Sequence, residues 1–240
     1  MTNESDIPPV ECERPRLFVE TGSGCGGADG MVVPAGTEIA EDAALDGEII
    51  RRCPGADRPP GPATIWVADG GLDRAAALRD RDVGIGAGIR VVPRAEVRRG
   101  SNRYSFRPAS PGEGFSTYRL DPASVAEFLV LEGDHEIALA NWLARAAALG
   151  FDTVWLHGIE AAGARRGFPI EMLRKAHRLA PQMAIWLSGG GCEVRHFERL
   201  ASEAGLAAVV APETDLAQLE AEAVRAALSP PQAAAETAAT

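Results

Sequence analysis

Short runs rich in β-branched and aromatic residues recur along the chain at 16–20, 30–33, 64–68, 89–92, 127–131, 153–157, 184–188 and 207–211. Each reads as a strand, because such side chains pack well on a pleated, buried surface. The last four are separated by helical patterns at 136–149, 170–179, 194–204 and, after the final strand, 216–227, each with apolar residues at i, i+3 and i+4. The strands are continuous apolar runs instead of in-out alternations, which predicts a parallel sheet covered by helices. Eight such strands in 240 residues predict one (β/α)₈ TIM barrel of the α/β class. A doubly wound open sheet would satisfy the same alternation.

The first half is less regular. The stretches TGSGCGGADG and CPGADRPPGP are turn formers and leave room for one short helix, at about 38–52. The segment from Val97 to Tyr118 has no apolar periodicity and predicts a long excursion after the fourth strand. Residues 1–14 read as a flexible arm, 15–228 as the barrel domain, and 229–240, with two prolines and no large apolar side chain, as a disordered tail.

Composition narrows the function. The chain is 46% hydrophobic and 24% charged, and it contains no run approaching the roughly 18 apolar residues of a membrane span. Its acidic, Pro-rich start lacks the features of a secretory signal, so a cytoplasmic location and no membrane partner are expected. A net charge of −10 opposes binding to nucleic-acid backbones. Cys12, Cys25, Cys53 and Cys192 show neither ligand spacing nor a disulfide framework, so reduced thiols and no structural metal are expected. Homo-oligomerisation is left open.

The segment from Gly150 to Ala211 resembles the second half of the histidine-biosynthesis barrels of the HisA/HisF type. The features are the LG-D entry at 149–155, the Gly–x–x–x–Gly–Phe loop ending at Phe168, the Ser188–Gly189–Gly190 turn and the strand from Gly205 to Ala211. Upstream, ATIWVADGGLDRAAAL is similar to the third-strand segment of the same group. The resemblance implies a TIM barrel acting on a small phosphorylated metabolite. The family's catalytic aspartates at the ends of strands one and five would fall on Glu20 and Glu132, each one methylene longer. The family's Asp-Gly-Thr loop after strand six is replaced here by Glu160 to Ala164, so the resemblance implies a divergent member with an altered substrate or reaction.

Barrel enzymes build their sites at the carboxyl ends of the strands. On that ground Glu20 and Glu132 are the candidate general acid and base, against a pair of solvated or salt-bridged carboxylates. His157, after VWL, would transfer a proton or hydrogen-bond an oxyanion, unless it is only a satisfied structural histidine. The turn Ser188, Gly189, Gly190, Gly191 is the candidate phosphate site, since glycines let backbone N–H groups approach an anion; the plainer alternative is a tight turn. Arg99 and Arg103, with Arg98 and Arg107, would form a lid over an anionic ligand, or a solvated loop. Cys25 in the Gly-rich loop is a weaker candidate nucleophile.

The reading is an isomerase or lyase that uses general acid–base catalysis without a cofactor. One alternative is a Mg²⁺-dependent carbon–carbon lyase of the phosphoenolpyruvate mutase type, with Asp69, Glu132 and Glu160 around the ion. Another is a non-catalytic barrel that serves as a binding or assembly subunit.

Overall fold

An apolar run buried on both faces still sorts its side chains by parity, because successive residues of a strand point to opposite sides. In RLFVE, Leu17 and Val19 join one buried cluster while Phe18 joins another. In TVWLHG, Val154 and Leu156 go with the first and Trp155 with the second. The second cluster, with Phe18, Val32, Ile50, Val67, Val92, Trp155, Trp186 and Val210, fills the inside of a closed barrel. The first lies between the strands and the surrounding helices.

The computed structural model describes residues 14–20, 28–33, 48–53, 65–82, 90–100, 106–108, 118–120, 127–217 and 219–229. In chain order the elements are β1 (Arg16–Glu20), β2 (Gly30–Val33), β3 (Glu48–Cys53), β4 (Ile65–Ala68), α1 (Leu72–Asp82), β5 (Arg90–Arg99), β6 (Phe106–Pro108), β7 (Tyr118–Leu120), β8 (Phe128–Glu132) and β9 (His135–Ala138). There follow α2 (Leu139–Ala148), β10 (Thr153–Gly158), α3 (Ile170–Leu179), β11 (Ala184–Ser188), α4 (Val194–Glu198), β12 (Leu206–Pro212), α5 (Glu213–Leu216) and α6 (Ala221–Ala227). Strands β1 to β5 and β10 to β12 pair in parallel, and β12 returns to β1, which closes an eight-stranded TIM barrel. Among the described residues no helix is long and apolar enough to cross a membrane.

The fold class is as expected, but two elements differ. The stretch expected to be helical at 38–52 is, over its described part, the strand β3, paired to β2 through Met31↔Ile49 and to β4 through Ile50↔Ile65. Its two arginines favour a helix, but the β-branched Ile49 and Ile50 and the pairing on both sides override that preference. Conversely, 127–131 is a strand but not a barrel strand. The two-residue connection Gly133–Asp134, with Gly133 in the left-handed region at φ 59°, turns β8 straight back into β9. This antiparallel hairpin pairs with the outer end of β5 through Glu96↔Leu131 and Arg99↔Phe128, while β5 pairs directly with β10 through Trp155↔Arg94. The long excursion therefore follows the fifth barrel strand, not the fourth, and it includes the short antiparallel ribbon of β6 and β7.

Candidate active site

Extending each inward-facing file two residues beyond its last interior apolar side chain reaches the carboxyl end of the barrel. Phe18 leads to Glu20, Ile50 to Arg52, Val67 to Asp69, Val92 to Arg94, Trp155 to His157 and Trp186 to Ser188. The lumen is thus apolar at mid-height and changes to charged and polar groups at its mouth. Six of these positions, together with Glu96 one step further along β5, make the candidate site.

The charged groups form a chain. Arg52 donates from Nη1 to Glu20 Oε1 at 2.5 Å and from Nε to Asp69 Oδ2 at 2.9 Å. Arg94 reaches Asp69 Oδ1 at 3.5 Å and Glu96 Oε1 at 3.1 Å, both through Nη1. Burial alone would weaken the protonated form of Arg52, but the carboxylates of Asp69 and Glu20 outweigh it and hold its pKa above the usual value. The Arg94 side chain is only 9% exposed and lies over the Trp155 ring with its guanidinium carbon 5.1 Å from the centroid. Its Nε is buried with no hydrogen-bond partner among the described residues. An unmet donor of this kind costs about 1–3 kcal/mol.

Beside Arg94, on the neighbouring strand, the indole Nε1 of Trp155 donates to Ser188 Oγ at 2.6 Å, and Ser188 Oγ lies 2.8 Å from His157 Nδ1. An indole can only donate, so the buried serine accepts from Trp155; a serine proton directed at Nδ1 would leave the neutral histidine's own proton on Nε2. Burial, and then the nearby Arg94 charge, push the His157 pKa down to about 4. Near pH 7 it is therefore neutral, not the imidazolium that a general acid would need.

Glu132 sits elsewhere. At the end of β8, its Oε1 accepts from the Leu72 N–H at 3.1 Å and from Trp142 Nε1 at 2.8 Å, and Arg145 lies 3.7 Å from its Oε2. It shares no partner with Glu20 among the described residues, and it joins the hairpin to the first turns of α1 and α2. The expected Glu20–Glu132 pair rested on β8 being the fifth barrel strand, and the hairpin removes that premise.

The turn after β11 carries three consecutive glycines with φ of 92°, 121° and 98° at Gly189, Gly190 and Gly191. A Cβ would lie 2.2 Å from Gly158 O at Gly189, 2.4 Å from Gly167 O at Gly190 and 2.2 Å from a Phe168 ring carbon at Gly191. Close packing on the loop after β10 therefore accounts for these glycines. The helix that follows, α4, has only five residues. Arg99 is exposed and ion-paired to Glu171 at the start of α3. Arg103, Tyr104, Cys25 and the rest of the Gly-rich loop lie outside the described residues. The three carboxylates of the Mg²⁺ alternative are in three places: Asp69 is held by two arginines, Glu132 is in the hairpin, and Glu160 lines a groove outside the barrel wall. Among the described residues no three His, Cys, Asp or Glu side chains are grouped to hold a metal.

Sequence reasoning missed Arg52, Arg94 and Glu96. The signal was available for Arg94 and Glu96, two and four residues past Val92 on the same face. For Arg52 it was hidden by reading the segment as a helix.

The fold and mouth define a TIM barrel with a polar, ion-paired site at the carboxyl end of its strands. Residues 126–214 match the family of histidine biosynthesis proteins, so the HisA/HisF resemblance holds over the hairpin and the last three barrel strands. No curated protein sequence matches the chain. Among solved structures, the chain is similar to (S)-3-O-geranylgeranylglyceryl phosphate synthase from Thermoplasma acidophilum in complex with its substrate sn-glycerol-1-phosphate, at 16% identity and a TM-score of 0.49 over 89% of each chain.

Proposed function

We propose that the chain is an enzyme, an isomerase or a lyase, that binds a small phosphorylated metabolite in the barrel mouth and moves protons on it. The observation that carries this reading is Arg94, buried at a barrel strand's carboxyl end beside a neutral histidine, with its Nε donor unmet. Arg94 Nε and His157 Nε2 would hold an anionic oxygen of the substrate, and backbone N–H groups of the Ser188–Gly191 turn would extend that contact. Glu20 and Glu96 are the carboxylates left to exchange protons with the substrate. Glu132 has no catalytic part in this proposal, because both of its short contacts are to buried or helix-starting donors.

A second reading, a barrel that binds without catalysing, draws on the completeness of the ion-pair chain. Glu20, Asp69 and Glu96 all have arginine partners, as structural carboxylates do. Titration with inorganic phosphate, followed by protein NMR, tests the common core of both. Arg94→Met should weaken phosphate binding by about tenfold or more, the loss expected when a charge-assisted hydrogen bond worth about 1.5 kcal/mol or more is removed. Equal affinity in the variant would show that Arg94 does not hold the anion. Glu20→Gln separates the readings: it should keep phosphate affinity and abolish turnover in the first, and leave the protein's role in the cell intact in the second.

A further inference from the structure

A cavity of about 300 Å³ lies outside the barrel wall, at the same carboxyl end of the strands as the mouth. It runs between the outer end of β5 at Val97, the start of β8 at Phe128, and the loop that leads from Gly158 through Phe168 into α3. This volume is at the lower end of what small-molecule sites enclose. Its walls are set by close backbone approach. A Cβ on Gly158 would come within 2.7 Å of Pro169 Cγ, so only glycine at that strand end lets Pro169 pack there. Phe168 is fixed in turn by an edge-to-face contact with Phe197 at 5.1 Å.

The charge of the groove is uneven. Four arginines and two glutamates line it, in a protein whose net charge is −10. Arg98 is held by two hydrogen bonds to Glu136, at 2.8 and 2.7 Å, and Arg99 by Glu171. Arg166 and Arg199 have no ion pair or side-chain hydrogen bond among the described residues, and Glu160 is the one lining carboxylate without an arginine partner there. Arg166 and Arg199, lining the same groove as the apolar Phe168 and Pro169, would complement a ligand with an anionic head and a flat apolar body.

We infer that this groove is a second ligand site, separate from the barrel mouth, for a small aromatic phosphate or carboxylate whose anion meets Arg166 and Arg199 and whose ring lies on Phe168 and Pro169. The inference does not depend on the chemistry proposed for the mouth. Phenyl phosphate is a suitable probe, titrated into ¹⁵N-labelled full-length protein. Saturable shifts are expected at the amides of Gly167, Phe168 and Ile170. The exposed pair of substitutions Arg166→Ala and Arg199→Ala should weaken that binding at least tenfold, while Arg94→Met leaves it unchanged. Phenyl phosphate that moves none of these amides, or that binds them equally well in the double variant, would overturn the inference. A thermal melt of the double variant matching that of the parent chain keeps loss of binding distinct from loss of fold.

Discussion

His157 joins protonation to folding. It is partly buried, its Nδ1 is occupied by the Ser188 hydroxyl, and Arg94 stands close enough to oppose a second positive charge. Its folded pKa of about 4 lies below the 6.5 of an unconstrained histidine, so the unfolded chain takes up the proton first as the pH falls. Stability from this source is complete above about pH 6.5 and is lost progressively down to about pH 4. Chemical denaturation at pH 7 and pH 4.5 should therefore show the parent chain losing about 2 kcal/mol more than a His157→Gln variant. Parallel losses in the two proteins would mean that His157 is not held neutral. At this scale much of the site was legible: Glu20, His157 and Ser188 each end an apolar run, which marks the mouth of a barrel. Arg94 and Glu96 were harder to place, because VVPRAEVRR carries apolar residues as far as Val97 and the run alone does not mark where the lumen ends; the pairing of Arg94 with Trp155 shows how far the barrel extends along β5.

Among the elements, the hairpin of β8 and β9 explains most of the difference between expectation and structure. Its strand run was legible, but its direction depended on two residues, Gly133 and Asp134, which read equally well as the start of a loop. Once the hairpin forms, Glu132 becomes the acceptor for two donors from different helices. Glu132→Ala should then destabilise the fold by about 2–3 kcal/mol, since it leaves the Leu72 N–H and the Trp142 indole without an acceptor. Glu132→Gln, which keeps an amide oxygen in place, should cost less than about 1 kcal/mol. Equilibrium urea unfolding measures both, and a glutamine variant as unstable as the alanine one would contradict the account. The strand β3 was hidden for a related reason. EIIRRC alternates as a strand should, with Ile50 and Arg52 on the inner face, but the helix-forming residues before it, at 38–45, draw the reading across the Asp46–Gly47 turn signal that separates them from the strand.

The molecule as a whole is a barrel whose lumen changes character with height. Aromatic and branched side chains fill the middle: Phe18 and Trp186 have ring centroids 5.0 Å apart, and Trp155 and Trp186 6.5 Å. Above them the charged chain from Glu20 to Glu96 adjoins the hydrogen-bonded trio of Trp155, Ser188 and His157 through the pairing of β5 with β10. The barrel was legible from the count and character of the strands, because a parallel sheet covered on both sides needs apolar runs of this kind. The ring of mouth residues was not, since it is assembled from six strands far apart in sequence and exists only once the barrel closes. In the proposed activity this ring binds an anion through Arg94 and His157. A crystal of the protein soaked in phosphate should then hold a phosphate within hydrogen-bonding distance of both Arg94 Nε and His157 Nε2; a mouth without phosphate, or one whose phosphate avoids both groups, would rule that binding out.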